Sequence, residues 1–171
     1  MSGSELRSVF LLLGSNIEPE RHIPEALRRL RGLLDVPKTS SVYETDPVGI
    51  EDQPAFLNAG LLANERRAPH DLKQNVLRSV EDEFGRDRSR PRDGPRRLDV
   101  DIILYGDLIR STERLQIPDP DLLKHPHVAI PIAELAPDHP HPITGDPLRA
   151  IADAMQRDTI RDRPDVSPGE N

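Results

Sequence analysis

The stretch Glu81 to Tyr105, EDEFGRDRSRPRDGPRRLDVDIILY, decides how the chain is read. It places six arginines between Arg86 and Arg97 and then sets Asp99 and Asp101 two apart within an apolar run. In an extended strand, residues i and i+2 leave the same face. Leu98, Val100, Ile102 and Leu104 are therefore expected to face a core while both carboxylates share the opposite side. Two hard oxygen donors on rigid backbone suit Mg²⁺, which keeps several waters and takes further ligands from phosphates. Arginines ahead of the strand can grip the same phosphates through bidentate, charge-assisted hydrogen bonds. The chemistry implied is phosphoryl transfer. A D-x-D pair alone is weak evidence, because any half-exposed strand alternates apolar and polar residues, and arginine runs are usually solvated loops. The adjacency of the two carries the argument, since a bridging metal and polyphosphate would neutralise both.

With 171 residues, the chain has the length of one domain that can bury a proper core. We expect a single domain over residues 1–157 and a disordered tail over 158–171, whose composition is polar and charged. The net charge of −7 speaks against a broad nucleic-acid grip, which rests on an extended cationic face. There is no cysteine, so disulfides are excluded and a reducing compartment is permitted. The apolar run Val9 to Leu13 is too short for a membrane span. These features read as a soluble cytoplasmic protein, with no membrane, nucleic-acid or obligate protein partner.

Outward from the decisive stretch, Val9 to Leu13 is continuously apolar and predicts a central strand, ended by Gly14-Ser15-Asn16 as a turn. Ile23, Leu27, Leu30 and Leu34 form a helical stripe, with the helix expected to start between Glu20 and Ile23. Thr39 to Thr45 and Phe56 to Ala63 read as strands, separated by a proline- and acid-rich loop. Leu72, Val76, Leu77, Val80 and Phe84 make a second helix, capped by Gly85. A Gly106-Asp107 turn is expected to return the chain as a hairpin through Leu108 and Ile109. The order β-α-β-β-α-β predicts an α+β, ferredoxin-like sandwich: an antiparallel sheet with two helices on one face and ligand on the other face or at its edge loops. A proline-rich stretch, Pro118 to Pro147, and a short helix from Leu148 to Met155 follow.

No P-loop, dinucleotide or protein-kinase motif occurs, so a phosphate donor has to be held by arginines and metal. The blocks LLLGSN (Leu11 to Asn16), YETDPVG (Tyr43 to Gly49), DQPAFLNA (Asp52 to Ala59), EDEFGRDR (Glu81 to Arg88), GPRRLDVDIILYG (Gly94 to Gly106) and PIAELAP (Pro131 to Pro137) occur in this order. In them the chain resembles the 6-hydroxymethyl-7,8-dihydropterin pyrophosphokinases of the folate pathway. The resemblance implies transfer of the terminal pyrophosphoryl group of ATP to a pterin's hydroxymethyl oxygen, with two Mg²⁺ ions on Asp99 and Asp101. It puts Arg86 and Arg96 at catalytic positions and Glu81, Arg88, Arg96, Ile102 and Arg114 at nucleotide-binding ones. Thr45, Val48, Phe56, Asn58 and His127 fall at the pterin.

Phe56 and Asn58 share a strand face and offer an aromatic surface and a carboxamide, which a flat bicyclic amide needs. The chain departs from the family pattern at Asp93, Asp119, His125 and His127, where His127 replaces a phenylalanine and His125 a permanent cation. Those departures leave open a different pterin or related heterocycle as acceptor. An RNA-binding ferredoxin-like module is the reading from another class, and the chain's few aromatics and its charge oppose it. The pairs His125/His127 and His139/His141 also invite a zinc reading, against which stand the lack of cysteine and the intervening prolines.

Overall fold

The structure is a computed structural model that describes residues 5–85, 89 and 94–166. Strand β1 (Arg7–Ser15) lies inside a five-stranded antiparallel sheet whose order is β4 (Asp99–Tyr105), β1, β3 (Phe56–Glu65), β2 (Asp35–Thr45) and β7 (Ile160–Asp162). Its neighbours are β3 and the edge strand β4. Val9, Leu11 and Leu13 face one core and Phe10 and Leu12 another, which explains why β1 is apolar throughout.

The first core is closed by α1 (Pro19–Leu33) and by a second helical run. That run comprises α2 (Pro69–Asp71), a π-helical segment Leu72–Leu77, and α3 (Arg78–Glu83). Ile23, Leu27 and Leu30 of the predicted stripe are fully buried. Helix α1 starts at Pro19 rather than at Glu20 to Ile23, because a proline's fixed φ and missing N–H suit the first helical position. Gly85, at φ +80°, ends the second run as expected.

Several expectations are corrected. Strand β2 (Asp35–Thr45) begins four residues before Thr39, and its first half is an edge, where Pro37 costs no ladder hydrogen bond. Register shifts along β1 and β4 between Phe10 and Leu11 leave Ile103 unpaired. Leu98, Val100 and Ile102 face the first core, whereas Leu104 crosses to the second. Leu108 and Ile109 form no hairpin arm; Arg110–Ser111 (β5) pairs instead with Gln116–Ile117 (β6).

The sheet's other face is only partly free. Within the proline-rich stretch, α4 (Pro126–Leu135) packs on it together with α5 (Leu148–Asp153). Helix α4 is apolar on nearly all sides, as a helix between two layers must be, and its buried residues include Val128, Ile130 and Ile132. It lies close to the sheet at Gly60, where an added Cβ would stand 3.0 Å from the Pro131 carbonyl oxygen. Glu134 locks α4 to β2 by accepting from the Tyr43 hydroxyl at 2.6 Å and from the Ser41 hydroxyl at 2.8 Å.

The expected disordered tail is also corrected within residues 158–166. Ile160–Asp162 forms β7, paired with Tyr43–Thr45 of β2. Composition hid the strand because its neighbours are charged and find partners only in the fold. Arg161 meets Glu44 and Asp46 at 3.1 Å each, and Arg163 meets Glu44 at 2.8 Å, while Ile160 and Val166 are buried. Among the described residues no helix is long and apolar enough to cross a membrane.

Removing residues 157–171 would uncover the β2 edge and strip Ile160 and Val166 from the two cores. We expect a loss of roughly 2–4 kcal/mol of unfolding free energy in urea titration. An unchanged midpoint would show that β7 contributes nothing.

Candidate active site

Strand pairing assembles the site. Tyr43 is opposite Asn58, Asn58 opposite Gly14, and Gly14 opposite Asp99, so these four residues form one row across the sheet. The next row on this face runs from Gly60 through Leu12 to Asp101. Residues in such rows project from one face. Asp99 and Asp101 therefore leave the sheet on the same side, beyond the ground that α4 covers. Gly14 has no side chain to fill the floor between Asn58 and Asp99, and a Cβ there would stand 3.3 Å from Asn58 Oδ1.

The result is a cleft of about 950 Å³ at the β4 edge, lined by Thr45, Val48, Phe56, Asn58, Glu81, Arg96, Asp99, Asp101, Ile102, Arg114 and His127. Every expected site residue among those described is thus at one cleft. Arg86 and Arg88, expected at catalytic and nucleotide-binding positions, lie outside the described residues, as does Asp93.

Three contacts hold the Arg96 side chain. Its Nη1 is 2.9 Å from Asp99 Oδ2, its guanidinium carbon is 5.8 Å from the centre of the Phe56 ring, and its Nε donates to the Gly94 carbonyl at 3.4 Å. A cation over an aromatic face and against a carboxylate is aimed into the cleft, not into bulk solvent. Asn58 and Thr45, both buried, are joined by a 2.7 Å bond from Asn58 Nδ2 to Thr45 Oγ1, which fixes the plane of the amide. Glu81 is buried and accepts from the Val100 N–H at 3.0 Å, so besides lining the cleft it supports the backbone between the two aspartates.

Burial pushes the Asp101 carboxyl well above the usual carboxylate range. Asp99 adds to this through its charge and a shared hydrogen bond, and Asp119 and Glu81 act in the same direction. Crowded, poorly solvated carboxylates are the donor set a hard dication fits. Mg²⁺ needs few protein ligands because water and phosphate oxygens complete its shell. Among the described residues no group of three or more His, Cys, Asp or Glu is arranged to hold a metal ion, so the pair would depend on substrate oxygens.

The second histidine pair has other work. His139 packs on Phe10 with ring centres 5.0 Å apart, and His141 Nδ1 accepts the N–H groups of Ile143 and Thr144 at 3.2 Å. His125 and His127 stack at 5.3 Å on the cleft wall. Burial, then the proximity of His125, pushes His127 down to about 4, so it presents a neutral ring.

Sequence reading missed Lys73 and Arg78, cations on the cleft side of the second helical run, because only the apolar stripe was informative there. It also took Asn16 for a turn residue. Asn16 is buried, and its Oδ1 accepts the Arg96 N–H at 2.8 Å.

The fold and the cleft define a class: a ferredoxin-like α+β protein with a carboxylate-and-arginine cleft at its sheet edge. The chain belongs to the 7,8-dihydro-6-hydroxymethylpterin-pyrophosphokinase family, whose model matches residues 10–137. It is 37% identical over 145 residues to the 2-amino-4-hydroxy-6-hydroxymethyldihydropteridine pyrophosphokinase of Aquifex aeolicus, covering 84% of this chain and 89% of that one. It is 39% identical over 129 residues to a folate synthesis bifunctional protein of Arabidopsis thaliana, covering 74% of this chain and 26% of that one. The crystal structure of Plasmodium falciparum HPPK-DHPS with pteroate superimposes with a TM-score of 0.69 at 12% identity, over 87% of this chain and 42% of that one, and so speaks for the fold.

Two stability effects follow from these environments. Asp101→Asn removes an acid that is costly to ionise, so the ligand-free variant should melt about 2–6 °C above wild type at neutral pH. His127 has a folded pKa below its unfolded one, so its stabilising contribution is present above about pH 6.5 and is lost as the pH falls towards 4. In His127→Phe that share of acid destabilisation, on the order of 2 kcal/mol, should vanish from stability measured by urea titration across this window.

Proposed function

We infer that this chain catalyses transfer of a pyrophosphoryl group from ATP to the hydroxymethyl group of 6-hydroxymethyl-7,8-dihydropterin, giving AMP and the pterin diphosphate in folate biosynthesis. The observation that carries the residue assignments is the arrangement of the cleft. Asp99 and Asp101 leave one strand face beside Arg96, and Phe56, Asn58 and Thr45 stand across Gly14 from them.

In the proposed reaction the hydroxymethyl oxygen bonds to the β-phosphorus of ATP. The bond from that phosphorus to the oxygen bridging it to the α-phosphate breaks, AMP leaves with the electron pair, and the hydroxyl proton passes to solvent. Asp99 and Asp101 would hold two Mg²⁺ ions, which supply charge neutralisation on the polyphosphate and acidify the attacking hydroxyl when bound. Arg96, already oriented by Gly94 and Phe56, would turn its charge from Asp99 to the phosphate oxygens where charge grows in the transition state. Arg114 and Ile102 would border the nucleotide, with Arg86 and Arg88 joining from the arginine loop. Phe56 and the neutral His127 would face the pterin ring, and Asn58, fixed by Thr45, would read its amide edge. Val48 would close the pterin end and help exclude water. We further propose one domain that includes β7, acting in the cytoplasm on small-molecule substrates without an obligate protein partner.

Release of AMP from ATP on addition of hydroxymethyldihydropterin and Mg²⁺ tests the activity. Asp99→Ala and Asp101→Ala should each lower kcat by roughly 10²–10³-fold or more with an unchanged far-UV circular dichroism spectrum. Wild-type turnover in either variant would remove the carboxylate pair from the mechanism.

A further inference from the structure

Asn16 directly follows β1, is 3% exposed, and uses both side-chain donors and its carbonyl oxygen in two directions. Towards the arginine side, its Oδ1 accepts the Arg96 N–H at 2.8 Å and its own N–H donates to the Arg96 carbonyl at 3.0 Å. Both peptide groups flanking the Arg96 side chain are thereby pinned. Towards the opposite wall, Nδ2 donates to Gln53 Oε1 at 2.9 Å and to the Pro54 carbonyl at 3.1 Å. Gln53 in turn donates through Nε2 to the Ile50 carbonyl at 2.7 Å, closing the loop that runs from Val48 towards Phe56.

One buried carboxamide thus spans 80 positions of sequence to Arg96 and reaches 37 to Gln53. Aspartate would keep the acceptor and lose both donors. Leucine, similar in size, would remove the partner of three groups, the Arg96 N–H, Gln53 Oε1 and the Pro54 carbonyl. We propose that Asn16 is a positioning residue of the pyrophosphokinase reaction, coupling the placement of Arg96 to that of the Val48–Phe56 wall that receives the pterin. This rests on the proposed function and deepens it: the two halves of the cleft share one hydrogen-bonded joint. Arg96 itself touches Phe56 by its guanidinium, so the joint is closed a second time across the cleft.

The two arms of the joint can be cut separately. Asn16→Asp keeps the bond from Arg96 N–H but sets a carboxylate oxygen against Gln53 Oε1 and the Pro54 carbonyl. The pterin KM, and the Kd read from the pterin's own fluorescence in a chain without tryptophan, should rise roughly tenfold or more, with the ATP KM within about twofold of wild type. Asn16→Ala removes the side-chain bonds on both sides and keeps only the backbone bond to the Arg96 carbonyl, so kcat should fall as well, by roughly tenfold or more. Gln53→Ala should reproduce the pterin defect, and in the Asn16→Asp background it should add little, because the two changes remove the same contact.

Thermal midpoints accompany each variant. A lower midpoint with both KM values unmoved would reduce Asn16 to a structural residue and overturn the proposal, as would parallel changes in both KM values or an additive double variant. If Asn16→Asp fails to fold, Gln53→Ala alone decides, and an unaltered pterin KM there overturns the coupling. A wild-type chain that binds pterin but releases no AMP would sink the proposed function instead, and the fluorescence arm would still test the joint.

Discussion

The structure depends on β1 lying between β3 and β4, antiparallel to both. The register of this pairing sets Gly14 between Asn58 and Asp99, and Leu12 between Gly60 and Asp101. A slip of one residue would turn Asp99 and Asp101 into the helix-covered core and take Leu98, Val100 and Ile102 out of it. The apolar residues flanking the aspartates enforce the register, because Leu98, Val100 and Ile102 are buried against the helices and could not be exchanged for carboxylates without a large desolvation cost. Core packing and site geometry are consequences of the same pairing.

Two glycines on this face divide it between structure and chemistry. Gly60 admits the α4 backbone, so the second helical layer seals that part of the sheet, while Gly14 leaves open the floor on which the site is built. Helix α4 also brings the neutral ring of His127 to the cleft. The segment that completes the sandwich therefore contributes a wall of the site, and the boundary between core and cleft falls within one helix.

The electrostatics show what the ligand-free protein tolerates. Asp99 is met by Arg96, but Asp101 is left among Asp99, Asp119 and Glu81 in a poorly solvated recess. Such crowding opposes folding and is maintained by the surrounding packing. Arg96 stands at the junction of these terms, since its side chain neutralises Asp99 while its backbone is tied to Asn16.

Local pattern determined a good deal by itself. The period of Ile23, Leu27 and Leu30, the alternation from Leu98 to Ile102 and the apolar run of β1 read directly as helix and strands, and D-x-D next to arginines marked the site. These are contacts between near neighbours or consequences of a strand's two-residue period. What only the tertiary structure decided depends on partners distant in the chain. Helix α4 was hidden by Pro126 and Pro131, although one suits a first turn and the other lies in an apolar sandwich that offsets its missing bond. Strand β7 was hidden by arginines whose partners are Glu44 and Asp46, over a hundred residues earlier. Leu104 changed sides because of a bulge defined by its pairing with β1. Asn16 looked like a turn residue because the donors and acceptors it serves, at Gln53, Pro54 and Arg96, come within reach only when β1, the loop before β3 and the turn before β4 are folded together.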